Sequence, residues 1–344
     1  MNSYQRVMNT LSGRAVDRPP VFAVLGAYGA KLTGTDPRTL YSDASAYVAG
    51  QKALQAEFGF DLVMTAFDYS ALAEAFGGET AWSAVQAPNM KRPAAGSAAQ
   101  ALALPLPDPG QTGRLPVILD ATRQLASVYK KNVPIISVLP GPCIMPALLM
   151  GLENWMETVL FHKDIALKLL RHTGVFFVDW ANALLAAGAD CLVVTESMAS
   201  SDIATRALFT QQFLPHLTET FARIDGPKVL HHSGGRLNQN LDLLPGLDGL
   251  VGVTVSSKDD LTQARQSLGP DLTLIGNLDN LTLPEVTAAE LFDMSLARLR
   301  IAAPCGHYIL CNSAADIPLT TPTVNLRAML AAAVAYSTGV GCGR

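Results

Sequence analysis

The apolar positions of this chain fall into eight short runs, separated mostly by segments with helical spacing of apolar residues. Runs of this length, bounded by polar and glycine-rich segments, are typical of buried strands. The predicted strands are residues 21–25, 61–67, 134–139, 191–195, 229–231, 250–255, 272–275 and 308–310. Eight strands that alternate with helices predict a (β/α)8 TIM barrel.

A doubly wound sheet is the main alternative for such a pattern. That fold usually carries a Gly-x-Gly-x-x-Gly turn after its first strand, but residues 25–30 read Leu-Gly-Ala-Tyr-Gly-Ala. No suitably placed acidic residue closes the second strand, and the chain has no Walker loop. We therefore predict one barrel domain over residues 1–344.

Residues 79 to about 120 break the alternation of strands and helices. This stretch follows the second predicted strand and is rich in Ala, Pro, Gly and Ser. It predicts an irregular insertion over the barrel mouth, with a hairpin and a loose helix. Long insertions of this kind serve as lids or as subunit contacts, here between two copies in a homodimer.

The composition narrows the classes of partner. The chain is 49% hydrophobic and 16% charged, with a net charge of -4, so it offers no basic surface for nucleic acid or anionic lipid. The first 14 residues lack an apolar signal core, and no apolar run is long enough to span a bilayer, which predicts a cytoplasmic protein. Five scattered cysteines without a Cys-x-x-Cys pair exclude a disulfide framework and a four-thiolate zinc site.

Polar side chains follow most of the predicted strands, where a barrel places its active site. The carboxylates of Asp68 and Glu196 each read alone as a helix cap, but two on different strands facing one cavity favour a function. His231 and His232 lie on opposite faces of a strand end, so only one of them points easily into the mouth. The predicted mouth, with neither lysine nor arginine, consists of Tyr28, Asp68, Glu196, His231, Ser233, Asn277, Asp279 and Asn312.

Several stretches, taken together in order and spacing, resemble the uroporphyrinogen decarboxylase superfamily over nearly the whole chain. They are residues 187–190 (Ala-Gly-Ala-Asp), 213–216 (Phe-Leu-Pro-His), 229–231 with the glycines that follow, 276–279 (Gly-Asn-Leu-Asp), 317–318 (Ile-Pro) and 321–326. The resemblance implies a (β/α)8 barrel, in agreement with the strand count. True decarboxylases hold porphyrin carboxylates with arginines just after the first strand. Residues 23–29 contain none, so we reject porphyrin decarboxylation.

The other branch of the superfamily comprises corrinoid-dependent methyltransferases, typified by methylcobamide:coenzyme M methyltransferases. These enzymes bind zinc through a His-x-Cys pair and a distant Cys, and the zinc activates a thiol acceptor. The resemblance places the histidine on His231, but the two cysteines fall on Ser233 and Ala315. It therefore implies a methyltransferase without zinc, whose acceptor needs no metal. Tetrahydrofolate is such an acceptor, because its N5 has a usable lone pair.

In this interpretation a methylated corrinoid (methylcobalamin) is carried by a small partner protein that docks over the mouth. Asp68, Glu196 and Asn277 hold the pterin of tetrahydrofolate, and Tyr28 stacks on it. The catalytic residues are His231, Asp279 and Glu196, which orient the pterin or relay a proton. Ser233 and Asn312 complete the substrate site.

Two alternatives stay open from the sequence. The first is a zinc-dependent thiol methyltransferase that uses His231, Cys311 and a carboxylate. The second is a catalytically silent binding barrel that has lost its chemistry with the missing ligands.

Overall fold

Seven parallel strands curl into one sheet at the centre of the chain, in a computed structural model that describes residues 1–339. Cys342 lies outside the described residues. The strands of this sheet, in spatial and chain order, are β1 (Val63–Met64), β4 (Ile135–Pro140), β5 (Cys191–Thr195), β6 (Lys228–His231), β7 (Leu250–Thr254), β8 (Thr273–Asp279) and β9 (Tyr308–Ser313). Two further strands, β2 (Glu79–Ala81) and β3 (Asn89–Arg92), form a separate antiparallel hairpin.

The first predicted strand closes the ring, although only one residue of it pairs as a strand. Val21 bridges Leu310 in parallel, the Phe22 N–H donates to Leu310 O at 2.9 Å, and the Asp61 N–H donates to Val21 O at 2.9 Å. The segment stays short because Pro20 has no N–H and the Val24 N–H donates to the Asn312 side chain instead of a backbone. The (β/α)8 prediction is confirmed, with a first strand shorter than predicted.

Helices surround the sheet and bury their apolar faces against it. The α-helices are α1 (Ser3–Leu11), α2 (Tyr28–Thr33), α3 (Pro37–Ser42), α4 (Ala44–Phe58), α5 (Tyr69–Ala75), α6 (Ala98–Ala103), α7 (Leu115–Tyr129), α8 (Met145–Met150), α9 (Leu152–Phe161), α10 (Lys163–Ala186), α11 (Arg206–Leu208), α12 (Leu214–Phe221), α13 (Leu261–Leu268), α14 (Ala288–Ala302) and α15 (Thr323–Gly339). Within residues 1–339, no helix combines the length and the apolar character needed to cross a bilayer.

The last two strands extend further than the sequence predicts. Residues 276–279 pair with residues 310–313, so Asn277, Asp279 and Asn312 lie within strands and not in the loops after them. Glycine and polar side chains do not end these strands, because their backbone N–H and C=O groups still find ladder partners.

Helix α1 lies across the amino-terminal end of the barrel and is held there by a buried carboxylate. Asp61 accepts hydrogen bonds from Arg6 (2.7 Å), from Arg18 (2.6 Å) and from the Val21 N–H (2.8 Å). One side chain therefore links α1 to the first barrel segment and to the start of β1.

The insertion after β1 contains the predicted hairpin and helix, here β2–β3 and α6. It ends at Arg114, whose guanidinium lies 4.8 Å from the Trp82 ring and donates to Glu74 Oε2 at 3.0 Å. These contacts hold the insertion against the barrel beside α5.

Candidate functional site

A row of three polar side chains crosses the carboxyl ends of neighbouring strands. The register of the sheet pairs Thr195 with His231 and His231 with Thr254. Residues in register on parallel strands point to the same side, and all three side chains face the barrel interior and are buried. The pairing thus places an imidazole between two hydroxyls.

A cavity of about 380 Å³ occupies the barrel interior below this row. Its walls are mainly apolar and include Phe22, Met64, Ile136, Val193, Val229 and Ile309. In most barrels of this type, layers of large branched side chains fill the interior. Here Cys191, Val193, Val229 and Cys311 leave part of it open.

The cavity runs along the barrel axis between two different ends. Val7 and Leu11 of α1 line its amino-terminal end. Asn89 of the hairpin and Leu152 of α9 line the other end, and both are exposed. The carboxyl ends of the strands therefore face the more open end of the cavity.

His231 is neutral and its ring orientation is fixed. Burial, with a smaller contribution from neighbouring His232, lowers the pKa of His231 well below its ordinary value of 6.5. Its Nδ1 accepts the Ser233 backbone N–H at 2.9 Å. In a neutral ring whose Nδ1 is an acceptor, Nε2 carries the proton, so His231 offers an N–H donor.

His232 supports this geometry from the other side. Its ring stacks on His231 with centroids 4.8 Å apart, and its Nε2 accepts the Ala314 N–H at 3.1 Å. Its Nδ1 lies 3.0 Å from Gly235 O and 2.9 Å from the Gly234 backbone nitrogen, so both ring nitrogens are engaged by the backbone. Burial lowers its pKa to about 4, so the second histidine is also neutral.

Tyr69 is a site residue that the sequence did not predict. Its hydroxyl bonds to Thr195 Oγ1, and the Thr195 hydroxyl donates to Leu139 O at 3.1 Å. Burial raises the Tyr69 pKa to about 12, against a smaller opposing effect of Thr195 and Ser233. Tyr69 directly follows the predicted Asp68. Its position next to an acidic residue at a strand end is the sequence feature that could have identified it.

Of the predicted mouth residues, His231, Ser233 and Asn312 line the cavity. Asp68 does not belong with them. Its carboxylate caps α5 by accepting the Ser70 N–H (2.9 Å) and pairs with the buried Arg114 guanidinium. The expectation of a region without arginine is therefore wrong around Asp68, because the insertion brings Arg114 back to that strand end.

Glu196 is fully buried behind the row. Its oxygens accept the Cys143 N–H at 2.9 Å and the Met198 N–H at 3.0 Å. A Cβ at position 141 would lie 2.3 Å from Glu196 Oε2, so only glycine leaves room for this carboxylate. Burial raises the Glu196 pKa to about 7 despite these two backbone donors.

The remaining predicted residues make structural contacts, and so does Asn312 at the cavity wall. The Tyr28 hydroxyl donates to Thr321 O at 2.7 Å, and the Asn277 amide donates to Ser256 O at 2.9 Å. Asp279 accepts the Leu281 N–H at 3.0 Å within a turn. Asn312 accepts the Val24 N–H at 2.8 Å and joins β9 to the first barrel segment. The prediction that acidic and amide side chains line the cavity is therefore wrong for most of these residues.

The family model for uroporphyrinogen decarboxylase matches residues 2–336. The chain belongs to the uroporphyrinogen decarboxylase family. Membership in a family shows the fold and not the reaction, since one fold supports many chemistries.

Within this family, the chain is similar to methyltransferases from Methanosarcina species. It is 25% identical to the methylcobamide:CoM methyltransferase MtbA of Methanosarcina acetivorans over 96% of this chain and 97% of that protein. It is 26% identical to MtaA of Methanosarcina barkeri, where the match covers 66% of this chain and 65% of that protein. A solved methyltransferase structure from Methanosarcina mazei superposes with a TM-score of 0.87 at 22% identity, covering 96% of this chain and 98% of that one.

The residues onto which the sequence resemblance places a zinc site do not fit zinc. Ser233 and Ala315 supply no thiolate, and His231 carries its proton on Nε2, the nitrogen that would have to bind the metal. Cys311 lines the cavity, but burial raises its pKa to about 12 and opposes the thiolate form. In the described chain, no group of three His, Cys, Asp or Glu side chains is placed to hold a metal ion.

Replacing Glu196 by Gln should change how stability depends on pH. Because the folded pKa is about 7 against an ordinary 4.5, the acid form stabilises the fold fully below about pH 4.5. That contribution falls as the pH rises and is lost once the pH passes about 7, a change on the order of 3 kcal/mol. We expect the wild type to lose stability relative to Glu196→Gln between pH 4.5 and 8 in urea unfolding, whereas parallel curves would contradict a buried Glu196 with a raised pKa.

Proposed function

We propose that this chain is a methyltransferase that moves a methyl group between a methylated corrinoid on a partner protein and a small molecule held in the barrel cavity. The observation that carries the proposal is the neutral polar row of Thr195, His231 and Thr254 above an apolar chamber. The names of the methylcobamide methyltransferases to which the chain is similar support the same reaction class.

The geometry suits a transfer in line. The acceptor heteroatom bonds to the methyl carbon while the carbon–cobalt bond breaks, the electron pair stays on cobalt, and the proton of the acceptor is released to water. Such a transfer needs the three atoms nearly in line, which fixed positioning of the acceptor provides. The polar row holds the heteroatom, and the apolar walls exclude water around the rest of the molecule.

Two side chains of this row are available as donors. His231 offers Nε2–H and Thr254 offers a hydroxyl without a protein partner, whereas the Thr195 hydroxyl already donates to Leu139 O. Donors of this kind stabilise a heteroatom that carries more negative charge without its methyl group than with it.

The acceptor is the finer part of the proposal. Tetrahydrofolate is the acceptor that the sequence predicts, and it remains a prediction. However, the three side chains that were predicted to bind its pterin, Asp68, Glu196 and Asn277, form hydrogen bonds to protein groups instead. A zinc-activated thiol lacks a fitting ligand set. The identity of the acceptor therefore has to be inferred from the size and the lining of the cavity.

The corrinoid protein docks, in this proposal, on the face formed by the loops after the strands. The exposed apolar side chains on this face include Ile203 after β5 and Leu281 after β8, with 37% and 68% exposure. Single exposed apolar side chains are common in proteins, so these two are positions at which docking is tested and not evidence for it.

Methylcob(III)alamin demethylation, followed by its absorbance spectrum, tests the reaction itself. We expect turnover by protein treated with a chelator, because the site needs no metal, and full activity in Cys311→Ala. Stoichiometric zinc after purification, with activity lost on its removal, would contradict the metal-free site and favour the zinc-dependent alternative. Binding of small molecules without any turnover would favour the silent barrel.

Leu281→Asp tests the docking face. We expect the KM for a methylated corrinoid protein to rise by about tenfold, since a buried interface leucine is worth on the order of 1 kcal/mol or more. The rate with free methylcob(III)alamin should stay unchanged. Ile301→Asp is the matched control, because Ile301 is also exposed (56%) but ends α14 at the opposite face. Equal effects of both substitutions would refute this docking face.

A further inference from the structure

The walls of the cavity offer no partner for a charged substrate. They contain no lysine or arginine within the described residues. Asp190 is the acidic side chain among them, and it is already paired with Lys131 and accepts the Ile135 N–H at 3.0 Å. The histidine in the walls is neutral, as shown above. A charge moved into this chamber would lose its hydration without compensation.

The size of the chamber is a second restriction on the substrate. A dry apolar cavity of about 150 Å³ is known to hold benzene, so about 380 Å³ accommodates one substituted ring or a branched chain of similar bulk. The volume lies near the lower end of the range for small-molecule sites. A molecule with several rings and a charged tail exceeds it.

One hydroxyl at the top of the chamber lacks a hydrogen-bond partner. Thr254 Oγ1 is buried and bonds to no protein atom, whereas the Ser233 hydroxyl lies beside the Tyr69 hydroxyl and lowers its pKa slightly. Buried polar atoms without partners are rare in native proteins and call for an explanation. Both side chains line the cavity, next to His231.

We propose that the small substrate is a neutral, largely apolar molecule of single-ring size, with one oxygen or sulfur atom through which the methyl group passes. This proposal rests on the methyl-transfer function proposed above. The apolar body occupies the chamber between Val193, Val229 and Ile309. The heteroatom lies at the top, where it accepts hydrogen bonds from His231 Nε2–H and from the Thr254 hydroxyl.

The proposal separates this chain from its relatives in substrate chemistry. A sulfonate such as 2-mercaptoethanesulfonate brings a fixed negative charge, and tetrahydrofolate brings carboxylates and a large bicyclic ring. Neither charge finds a cation in the walls of this chamber.

Titration calorimetry of the purified full-length chain provides the test. The probes are phenol and methoxybenzene, with 4-methoxybenzoate as the charged counterpart of the same ring. We expect both neutral probes to bind at least tenfold more tightly than 4-methoxybenzoate. Equal or tighter binding of 4-methoxybenzoate, or no binding of either neutral probe, would overturn the proposal.

Two substitutions locate the binding. Val229→Phe fills the chamber and should weaken phenol binding at least tenfold, while Val175→Phe, on the outer helix α10, should leave it unchanged. Thr254→Val keeps the side-chain shape and removes one donor, so phenol should bind about fivefold more weakly and toluene equally well. If Val229→Phe disturbs folding, judged by its unfolding curve, the comparison of phenol and toluene in Thr254→Val decides. Equal effects on both ligands would place the heteroatom elsewhere.

Measurements of binding and of turnover distinguish a failure of the proposed substrate class from a failure of the proposed reaction. Neutral probes that bind but neither accept nor donate a methyl group to the corrinoid would leave the substrate class standing and refute the proposed reaction. Turnover with tetrahydrofolate or 2-mercaptoethanesulfonate, together with absent phenol binding, would support methyl transfer and refute this substrate class.

Discussion

The parallel register of β5, β6 and β7 is the constraint on which the site depends. It places Thr195, His231 and Thr254 side by side, although they are far apart in the chain. A shift by one residue would turn all three side chains out of the barrel, because side chains alternate along a strand. The ladder hydrogen bonds of the sheet therefore also set the chemistry at its carboxyl end.

The same strands determine the chamber below. Cys191 and Val193 on β5 and Val229 on β6 are short side chains that leave space where barrels of this type are usually filled. Helix α1, held by Arg6 and the buried Asp61, covers the amino-terminal end. An apolar chamber with one closed end and one polar row selects for ligands by the absence of charge as much as by shape.

The residues at the expected zinc positions fit this arrangement. With Ser233 and Ala315 in the cysteine positions, the backbone N–H of Ser233 bonds to His231 Nδ1 and keeps the proton on Nε2. The imidazole becomes a hydrogen-bond donor where a zinc site would need an acceptor.

The fold could be predicted from the sequence, because burial on both faces produces apolar runs that are visible without any tertiary information. The family resemblance was confirmed by the family model that matches residues 2–336. The site could be predicted only in part. His231 and Ser233 follow directly from their strand end, whereas Asp68 is withdrawn from the cavity by Arg114, 46 residues later in the chain.

Local sequence carries no sign of such distant partners. Glu196 looks the same in sequence as a strand-end catalyst, and only the backbone N–H of Cys143 and the space at Gly141 show that it is enclosed. Thr195 and Thr254 read as ordinary strand formers, so their role emerges only from the pairing of the strands.

A crystal structure of the protein soaked with methoxybenzene tests the central claim most directly. The account predicts the ring inside the barrel, against Val193 and Val229, with its oxygen about 3 Å from His231 Nε2 or Thr254 Oγ1. A metal ion bound to His231, or a ring found only on the outer surface while the chamber holds ordered water, would contradict it.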